Sequence, residues 1–230
     1  MSVVWDMDHN DCFENFVVDS SNQFAYAASL AVAAEHGQAY NPFMIYGDAA
    51  LGKSHLLNAI RLKIMSQHPA LKILYVSAEV FKNDLITAIR FEETSAFRDK
   101  YTDIDCLLMD DIQLIAGQER TQEIFLLIFK SLYGMGKQIV ITCDQFPDNI
   151  PNLVVKRLFR QLEGSLIADI DQPRDIETKR AIVERMAHKL GLKFTIDPIE
   201  YPALETFKMK DIHDQLLFCS LLGKNTESRI

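Results

Sequence analysis

The chain has 230 residues, 48% hydrophobic and 24% charged, which is the composition of a globular protein large enough to form a full core. No apolar run approaches the roughly 20 residues of a membrane span, and the amino terminus lacks the basic start of a secretory signal, so we expect a soluble cytoplasmic protein. The net charge of −8 excludes a protein that coats nucleic acid by bulk positive charge, but not one with a local basic site.

Apolar segments bounded by turn residues alternate with segments of helical periodicity, which predicts an α/β fold with a parallel sheet and helices on both faces. Strands are predicted at 43–47, 72–77, 105–110, 138–143 and 165–170. Helices are predicted at 21–34, with Asp19 and Ser20 as the cap, and at 52–67, 79–90, 119–133 and 176–190.

The pattern changes after Gly191. Pro198 and Pro202 make the next helix short or irregular, the apolar stretch 212–222 predicts a further helix, and residues 223–230 are expected to fray. We therefore expect an α/β core at 1–190 and a small helical unit at 191–230.

The segment "FMIYGDAALGKSHLLNAI" fits the pattern G-x-x-x-x-G-K-[ST], with Gly47, Gly52, Lys53 and Ser54 at the defining positions. In such a P-loop, backbone N–H groups converge on phosphates and the following helix adds its partial positive charge. Lys53 would reach the β- and γ-phosphates, and Ser54 would ligate Mg²⁺. An ordinary strand–turn–helix connection is the alternative, but the preceding apolar strand and following amphipathic helix favour the P-loop.

Two more strands end in acidic residues. "DCLLMDD" ends in Asp110 and Asp111, and "QIVITCD" ends in Asp144. Because side chains alternate along a strand, we expect Asp110 and Asp111 to point differently, with Asp110 serving the metal and Asp111 the attacking water. Asp144 would sense the γ-phosphate. The alternatives are a solvated acidic turn for the pair and a plain strand cap for Asp144.

Five consecutive blocks of the chain resemble the AAA+ domain of the bacterial replication initiator DnaA. The blocks are "NPFMIYGDAALGKSHLLNAI", "YVSAEVFKNDLITAIR", "FRDKYTDIDCLLMDDIQLIAGQERTQEIF", "GKQIVITCDQFPDNIP" and "RLFRQLEGSLIADIDQPRDIETKRAIV". The similarity runs from about Phe13 to Val183, and "DDIQLIAGQERTQE" is far more specific than the Walker patterns. The resemblance implies an αβα P-loop NTPase with a C-terminal helical lid that binds ATP or ADP with Mg²⁺.

The resemblance also implies site residues. Those near the nucleotide are Phe16, Val17, Asn22, Gly47, Ala50, Gly52, Lys53, Ser54, His55 and, in the lid, Lys210 as sensor 2. Asp110 and Asp111 would be the Walker B pair, and Asp144 sensor 1.

Two further positions are implied to contact single-stranded DNA: Ile86 through apolar packing and Arg120 through a phosphate. The alternative is that Ile86 belongs to the core and that Arg120 forms a surface ion pair with Glu119 or Glu123.

The chain departs from the family in the phosphate loop, where Asp48, Ala49 and Ala50 replace residues that are commonly glycine or small. Alanine at positive φ costs about 1 kcal/mol or more, and an aspartate repels phosphates, so we expect weakened nucleotide binding.

The chain also departs from the family at two positions where an arginine is usual. The family's arginine finger completes the site of the neighbouring subunit and is worth about 10³ to 10⁵ in rate. It aligns with Gln161, so we expect slow hydrolysis in the neighbour unless a one-residue shift lets Arg160 replace it. Lys210 lies where an arginine is usual and keeps the charge without the planar fork, or is simply a solvated lid residue.

The leading hypothesis is a nucleotide-dependent assembly switch in replication initiation or its regulation, acting with like AAA+ domains and single-stranded DNA. No helicase-interaction domain is expected ahead of Phe13 and no duplex-reading domain after the lid. The chain would then be either a stand-alone relative of the Hda type or an excised or divergent core of an initiator. The alternative is an adaptor or inhibitor that docks on the initiator and uses nucleotide weakly or not at all. A small-molecule kinase is disfavoured by the "ERTQE" block and the lid.

Overall fold

The computed structural model describes residues 11–35, 40–154, 157, 159, 162, 164–192 and 208–221. The strands in this part of the chain are β1 (Phe43–Tyr46), β2 (Ile73–Ser77), β3 (Cys106–Asp110), β4 (Gln138–Cys143) and β5 (Leu166–Asp169). They form one parallel sheet in the order β2–β3–β4–β1–β5. Because the strands are parallel, their carboxyl ends share one edge of the sheet, which brings together the residues that follow β1, β3 and β4.

The described helices are α1 (Gln23–Ala34), α2 (Lys53–Gln67), α3 (Ala78–Arg90), α4 (Thr94–Thr102), α5 (Glu119–Gly134), α6 (Ile176–Lys189) and α7 (Met209–Leu221). Short 3₁₀ turns lie at Phe13–Asn15, Ile112–Ile115 and Pro147–Asn149. No helix in the described ranges is long and apolar enough to cross a lipid bilayer.

Side chains of the strands alternate between two buried clusters, one on each face of the sheet. Phe43 and Ile45 of β1 pack into a cluster with α1, α2, α6 and α7, whereas Met44 packs into the opposite cluster with α3, α4 and α5. The period of two along a strand produces this division. The predicted three-layer αβα architecture is therefore confirmed, and the strand ends at the carboxyl edge are held between two packed faces.

The predicted apolar stretch near the carboxyl end forms α7. Its Met209, Ile212 and Leu216 are buried in the cluster that also contains Val183 and Ala187 of α6. The placement of the unit boundary at residue 190 stays a prediction, and the predicted tail lies outside the described residues.

The structure corrects two local predictions. Helix α1 begins at Gln23 with Asn22 as its N-cap position, because Asp19 instead caps the preceding turn, accepting from the backbone N–H of Ser21. Helix α4 was not predicted, since its nine residues offer only Phe97 and Tyr101 as an apolar pair four positions apart. That single pair packs against Phe81 in the core, which is too short a pattern to recognise from sequence.

Candidate functional site

The loop between β1 and α2 begins at Gly47, whose conformation only glycine fits. A Cβ at this position would lie 2.3 Å from the backbone oxygen of Ile170. Both neighbouring strands hold the two backbones in place: the N–H of Ile170 donates to Tyr46 O at 2.8 Å, and that of Gly47 donates to Cys143 O at 3.3 Å. At the other end of the loop, Gly52 has φ 92° and precedes the first residue of α2.

Ala50 adopts the left-handed conformation, with φ 64°. A Cβ in this region meets the following carbonyl, which costs about 1–2 kcal/mol. The expectation that an alanine lies where the loop requires positive φ is therefore confirmed for Ala50.

We expect Ala50→Gly to raise the free energy of unfolding by about 0.5–1 kcal/mol, because relief of the left-handed strain exceeds the entropy that glycine adds to the unfolded chain. Denaturant titration measures this change. Ala49→Gly is the matched control, since the adjacent alanine is not at positive φ and the substitution should lower stability. Equal effects at both positions would contradict the strain argument.

Lys53 opens α2 and is only 6% exposed. Its ammonium donates to the backbone oxygens of Gly47 and Asp48, both at 2.8 Å. Burial lowers the pKa of Lys53, while the negative charges of Asp111, Asp110 and Asp144 oppose that change. The predicted lysine thus lies beneath the loop, facing the predicted acids.

Asp110 ends β3 and is 7% exposed, so the alternative of a solvated acidic turn is wrong for this residue. Its carboxylate accepts from the Tyr75 hydroxyl on β2 at 2.7 Å and from the Thr142 hydroxyl on β4. Burial, followed by the charge of Asp110, raises the pKa of Tyr75. Two neighbouring strands therefore hold one carboxylate in a fixed direction.

Asp111 does diverge from Asp110, but not because side chains alternate along a strand. The strand ends at Asp110, and Asp111 turns the chain with φ 54° into the following 3₁₀ turn. Its backbone N–H donates to Thr142 Oγ1 at 2.9 Å, and its side chain accepts from Gln113 at 2.9 Å. Burial, and then the charge of Asp110, raises the pKa of Asp111.

Asp144 follows β4 at the same edge. Gln113 links it to the acid pair, since Gln113 Oε1 accepts from the Asp144 backbone N–H at 3.2 Å while the Gln113 amide donates to Asp111. The side-chain oxygen Oδ1 of Asp144 is buried without a hydrogen-bond partner within the described chain. Buried polar atoms are normally paired, so this oxygen is available to accept a hydrogen bond from a group bound at the site.

A wall of aromatic side chains lies beside the loop. The Phe16 ring stacks on Tyr26 with centroids 5.8 Å apart and meets the His55 ring edge-on at 5.3 Å. The Asn22 amide donates to Val17 O at 2.9 Å and its oxygen accepts from the Asp19 N–H, so Asn22 shapes this wall through backbone contacts.

Ser54 and His55, both predicted site residues in the first turn of α2, differ in solvent exposure. Ser54 is exposed in the first turn of α2, whereas His55 is partly buried and its Nε2 lies 2.8 Å from Cys12 O. Burial lowers the pKa of His55. Ser54 is thus the one of the two that is open to a ligand.

The arrangement fits a nucleotide with a divalent cation. The loop has the glycine geometry that lets phosphates approach the backbone, a buried ammonium faces it, and the orphaned oxygen of Asp144 lies at the same sheet edge as the carboxylates of Asp110 and Asp111. No group of three or more His, Cys, Asp or Glu side chains in the described ranges forms a metal site by itself. Mg²⁺ at a P-loop takes few protein ligands and shares the phosphate oxygens, which a serine and one carboxylate satisfy.

The other predicted site residues lie elsewhere or outside the described ranges. Lys210 is exposed in the first turn of α7, and its contact with phosphate stays a prediction. The arginine-finger position, Gln161, and the neighbouring Arg160 lie outside the described residues.

The two positions implied to contact DNA lie on the opposite side of the sheet from the aromatic wall. Ile86 on α3 is 56% exposed, so the alternative that places it in the core is wrong. Arg120 on α5 is exposed and lies 3.5 Å from Glu123, so the alternative surface ion pair is present.

Tyr75, Thr142 and Gln113 were not assigned roles from the sequence. Gln113 lies inside the "DDIQ" block, and Thr142 within the polar end of β4, so both lay within segments already singled out. Tyr75 could not be recognised, because its contact with Asp110 depends on the pairing of β2 with β3.

Comparison with known proteins agrees with this geometry. Residues 7–169 match the family model described as the bacterial DnaA ATPase domain. The chromosomal replication initiator protein DnaA of Thermomicrobium roseum is 50% identical over 191 residues, which are 83% of this chain and 41% of that protein. A DnaA of Thermus thermophilus is 45% identical over 216 residues, or 92% of this chain and 49% of that protein. The chain thus spans less than half the length of these initiators.

Solved structures give the same result. Domain III from the Thermotoga maritima replication initiation protein DnaA superposes with a TM-score of 0.80 at 31% identity, covering 96% of this chain and 93% of that one. A replication initiator DnaA bound to AMPPCP and single-stranded DNA superposes with a TM-score of 0.76 at 29% identity, covering 96% of this chain and 67% of that one.

Proposed function

Because this chain belongs to the bacterial DnaA ATPase-domain family, we propose that it binds ATP or ADP with Mg²⁺ and acts in replication initiation, or its regulation, as a nucleotide-dependent assembly switch. The observation that carries the proposal is the buried Lys53 ammonium, held under the loop and facing Asp110, Asp111 and Asp144. A relative with the same fold is bound to the ATP analogue AMPPCP.

We assign each residue of the site a role in binding or hydrolysis of the nucleotide. Lys53 and the loop N–H groups hold the phosphates, Ser54 and Asp110 hold the metal, and Phe16 forms the wall beside the base. When bound, Mg²⁺ neutralises phosphate charge and orients the phosphates for attack. Asp111 orients the attacking water. Asp144 supplies its unpartnered oxygen, and Gln161 at the finger position leaves hydrolysis in the neighbouring subunit slow.

Isothermal titration calorimetry of the purified chain with ADP and ATP, each with and without Mg²⁺, tests the proposal. We expect saturable binding with one nucleotide per chain at micromolar affinity or tighter.

The absence of measurable binding would favour an adaptor that docks on the initiator without nucleotide. Ala50 and Asp48 are the features that support that second function, since one strains the loop and the other repels phosphates.

We also propose that single-stranded DNA binds along α3 and α5, as a DnaA relative is bound to single-stranded DNA. Ile86 is exposed on α3, and Arg120 borders a cavity of about 350 Å³ between α3, α4 and α5. The cavity wall combines Arg98 and Arg120 with Ile89 and Leu127 and contains no acidic residue. An apolar floor with positive charges at its rim suits bases and phosphates respectively.

We expect Arg120→Ala to weaken binding of a poly-dT oligonucleotide and to reduce the slope of log affinity against log salt by about 0.7, the value of one single-strand phosphate contact. Ile86→Ala should weaken binding without changing that slope, because it removes an apolar contact. Fluorescence anisotropy over a salt series measures both quantities. Lys130→Ala, at another exposed position of α5, is the control. Equal slopes for Arg120→Ala and the parent chain would rule out the phosphate contact.

The partners that follow from this assignment are further AAA+ domains, either copies of this chain or the full-length initiator. We place the activity in the cytoplasm, where the chromosome is replicated.

A further inference from the structure

The side chain of Gln172 lies between the phosphate loop, which joins β1 to α2, and α7, which we call the lid helix because it carries Lys210. Its Nε2 donates to Asp48 Oδ2 at 3.4 Å, and its Oε1 accepts from the backbone N–H of Met209 at 3.1 Å. Gln172 follows β5, so a residue of the sheet edge contacts both the loop after β1 and the start of α7.

These contacts extend an unbroken hydrogen-bonded path. The Lys53 ammonium donates to the backbone oxygen of Asp48, Asp48 accepts from Gln172 through its carboxylate, and Gln172 accepts from the first residue of α7. Met209 is fully buried in the core cluster, so its N–H has a fixed position, and Lys210 is the next residue. The path therefore joins the phosphate-binding lysine to the helix that carries the predicted sensor 2.

We propose that Gln172 is a positioning residue that couples the state of the phosphate loop to the orientation of the lid helix. The inference rests on the proposed nucleotide binding and adds to it the route by which an occupied loop moves the lid. An amide suits this role because it donates at one end and accepts at the other.

The coupling follows from the partners of Lys53. To contact phosphate, its ammonium gives up the carbonyl of Asp48, and the Asp48 carboxylate is repelled by the phosphate charge. Both changes act on the residue that Gln172 holds. A shift of the Gln172 amide then changes its hydrogen bond with the N–H of Met209. This N–H is one of the first in α7 and has no partner within its own helix.

A charge exchange between the two side chains tests the contact. Gln172→Glu should weaken MgADP binding about tenfold, because two carboxylates then face one another beside the phosphates. Adding Asp48→Asn should restore affinity to within about threefold of the parent, since the asparagine amide can donate to the new carboxylate. Gln145→Glu is the control, because this exposed position at the same sheet edge gains the same charge without a contact to Asp48. Adding Asp48→Asn to Gln145→Glu should restore less of the MgADP affinity than adding it to Gln172→Glu.

Hydrogen exchange of α7 tests the coupling itself. We expect MgADP to change the exchange rate of amides in 209–212 of the parent chain, and Gln172→Ala to bind MgADP yet lose that response. An unchanged response in Gln172→Ala, or equal rescue of Gln172→Glu and Gln145→Glu, would overturn the inference while leaving nucleotide binding intact. If the parent chain binds no nucleotide, the proposed function fails and the coupling with it. Thermal melting of each variant confirms that the fold is retained.

Discussion

We expect Lys53→Ala to remove most of the stabilisation of the protein by nucleotide. Binding at a hundredfold excess over Kd stabilises the folded state by about 2.7 kcal/mol, which for a chain of this size raises Tm by about 5–10 °C. The substitution removes a buried cation that forms charge-assisted hydrogen bonds, worth about 3 kcal/mol or a hundredfold in affinity. At the same nucleotide concentration the rise in Tm should then fall to about 1 °C.

Differential scanning fluorimetry measures this, with each variant compared with and without MgADP. The comparison is necessary because the alanine also leaves Asp110, Asp111 and Asp144 without their nearby cation. Lys63→Ala is the matched control: the residue lies on the same helix, ten positions further on, and should keep the full rise in Tm. A normal rise in Lys53→Ala would show that the loop binds nucleotide without its lysine or that binding lies elsewhere.

We expect Gly47→Ala to lower the free energy of unfolding by about 3 kcal/mol, at the upper end of the cost of overpacking a core. The added Cβ would lie 2.3 Å from Ile170 O. Neither backbone can withdraw cheaply, since Gly47 donates to Cys143 and Ile170 donates to Tyr46. Relief of the contact therefore breaks the pairing of β1 with β4 or β5 next to the site.

Urea denaturation measures the loss of stability. Gly134→Ala is the control, because nothing lies within 4 Å of a Cβ at this position and the residue ends α5 in helical conformation. That variant should be stabilised by up to about 1 kcal/mol. A Gly47→Ala protein within about 1 kcal/mol of the parent would show that the sheet edge relaxes more easily than its hydrogen bonds indicate.

The sheet could be predicted from the sequence where the residues of a single strand already form a recognisable apolar pattern. Strand β3 is an apolar run ended by Asp110, and β4 carries the apolar run 139–141 before the polar Thr142; such runs are typical of strands buried on both faces. The short helix α4 was missed because its stability comes from Phe97 and Tyr101 packing on Phe81, a contact between segments distant in sequence.

The same distinction holds at the site. The spacing of Gly47, Gly52 and Lys53 is local, so the phosphate loop could be predicted from a single segment. The contacts that fix Asp110 could not, because Tyr75 and Thr142 reach it from the two strands on either side. The direction of Asp111 likewise depends on a left-handed turn, which an aspartate permits but does not require.

The two hydrogen bonds of the Lys53 ammonium bear on the thermodynamics of ligand capture. A loop whose lysine already bonds its own carbonyls is ordered before any ligand arrives, so association does not carry the entropy cost of folding a disordered segment. In the proposed nucleotide complex the lysine exchanges carbonyl partners for phosphate partners, and the number of its hydrogen bonds changes little. The free energy gained at this residue should therefore come from the stronger attraction between opposite charges, which makes the affinity sensitive to ionic strength.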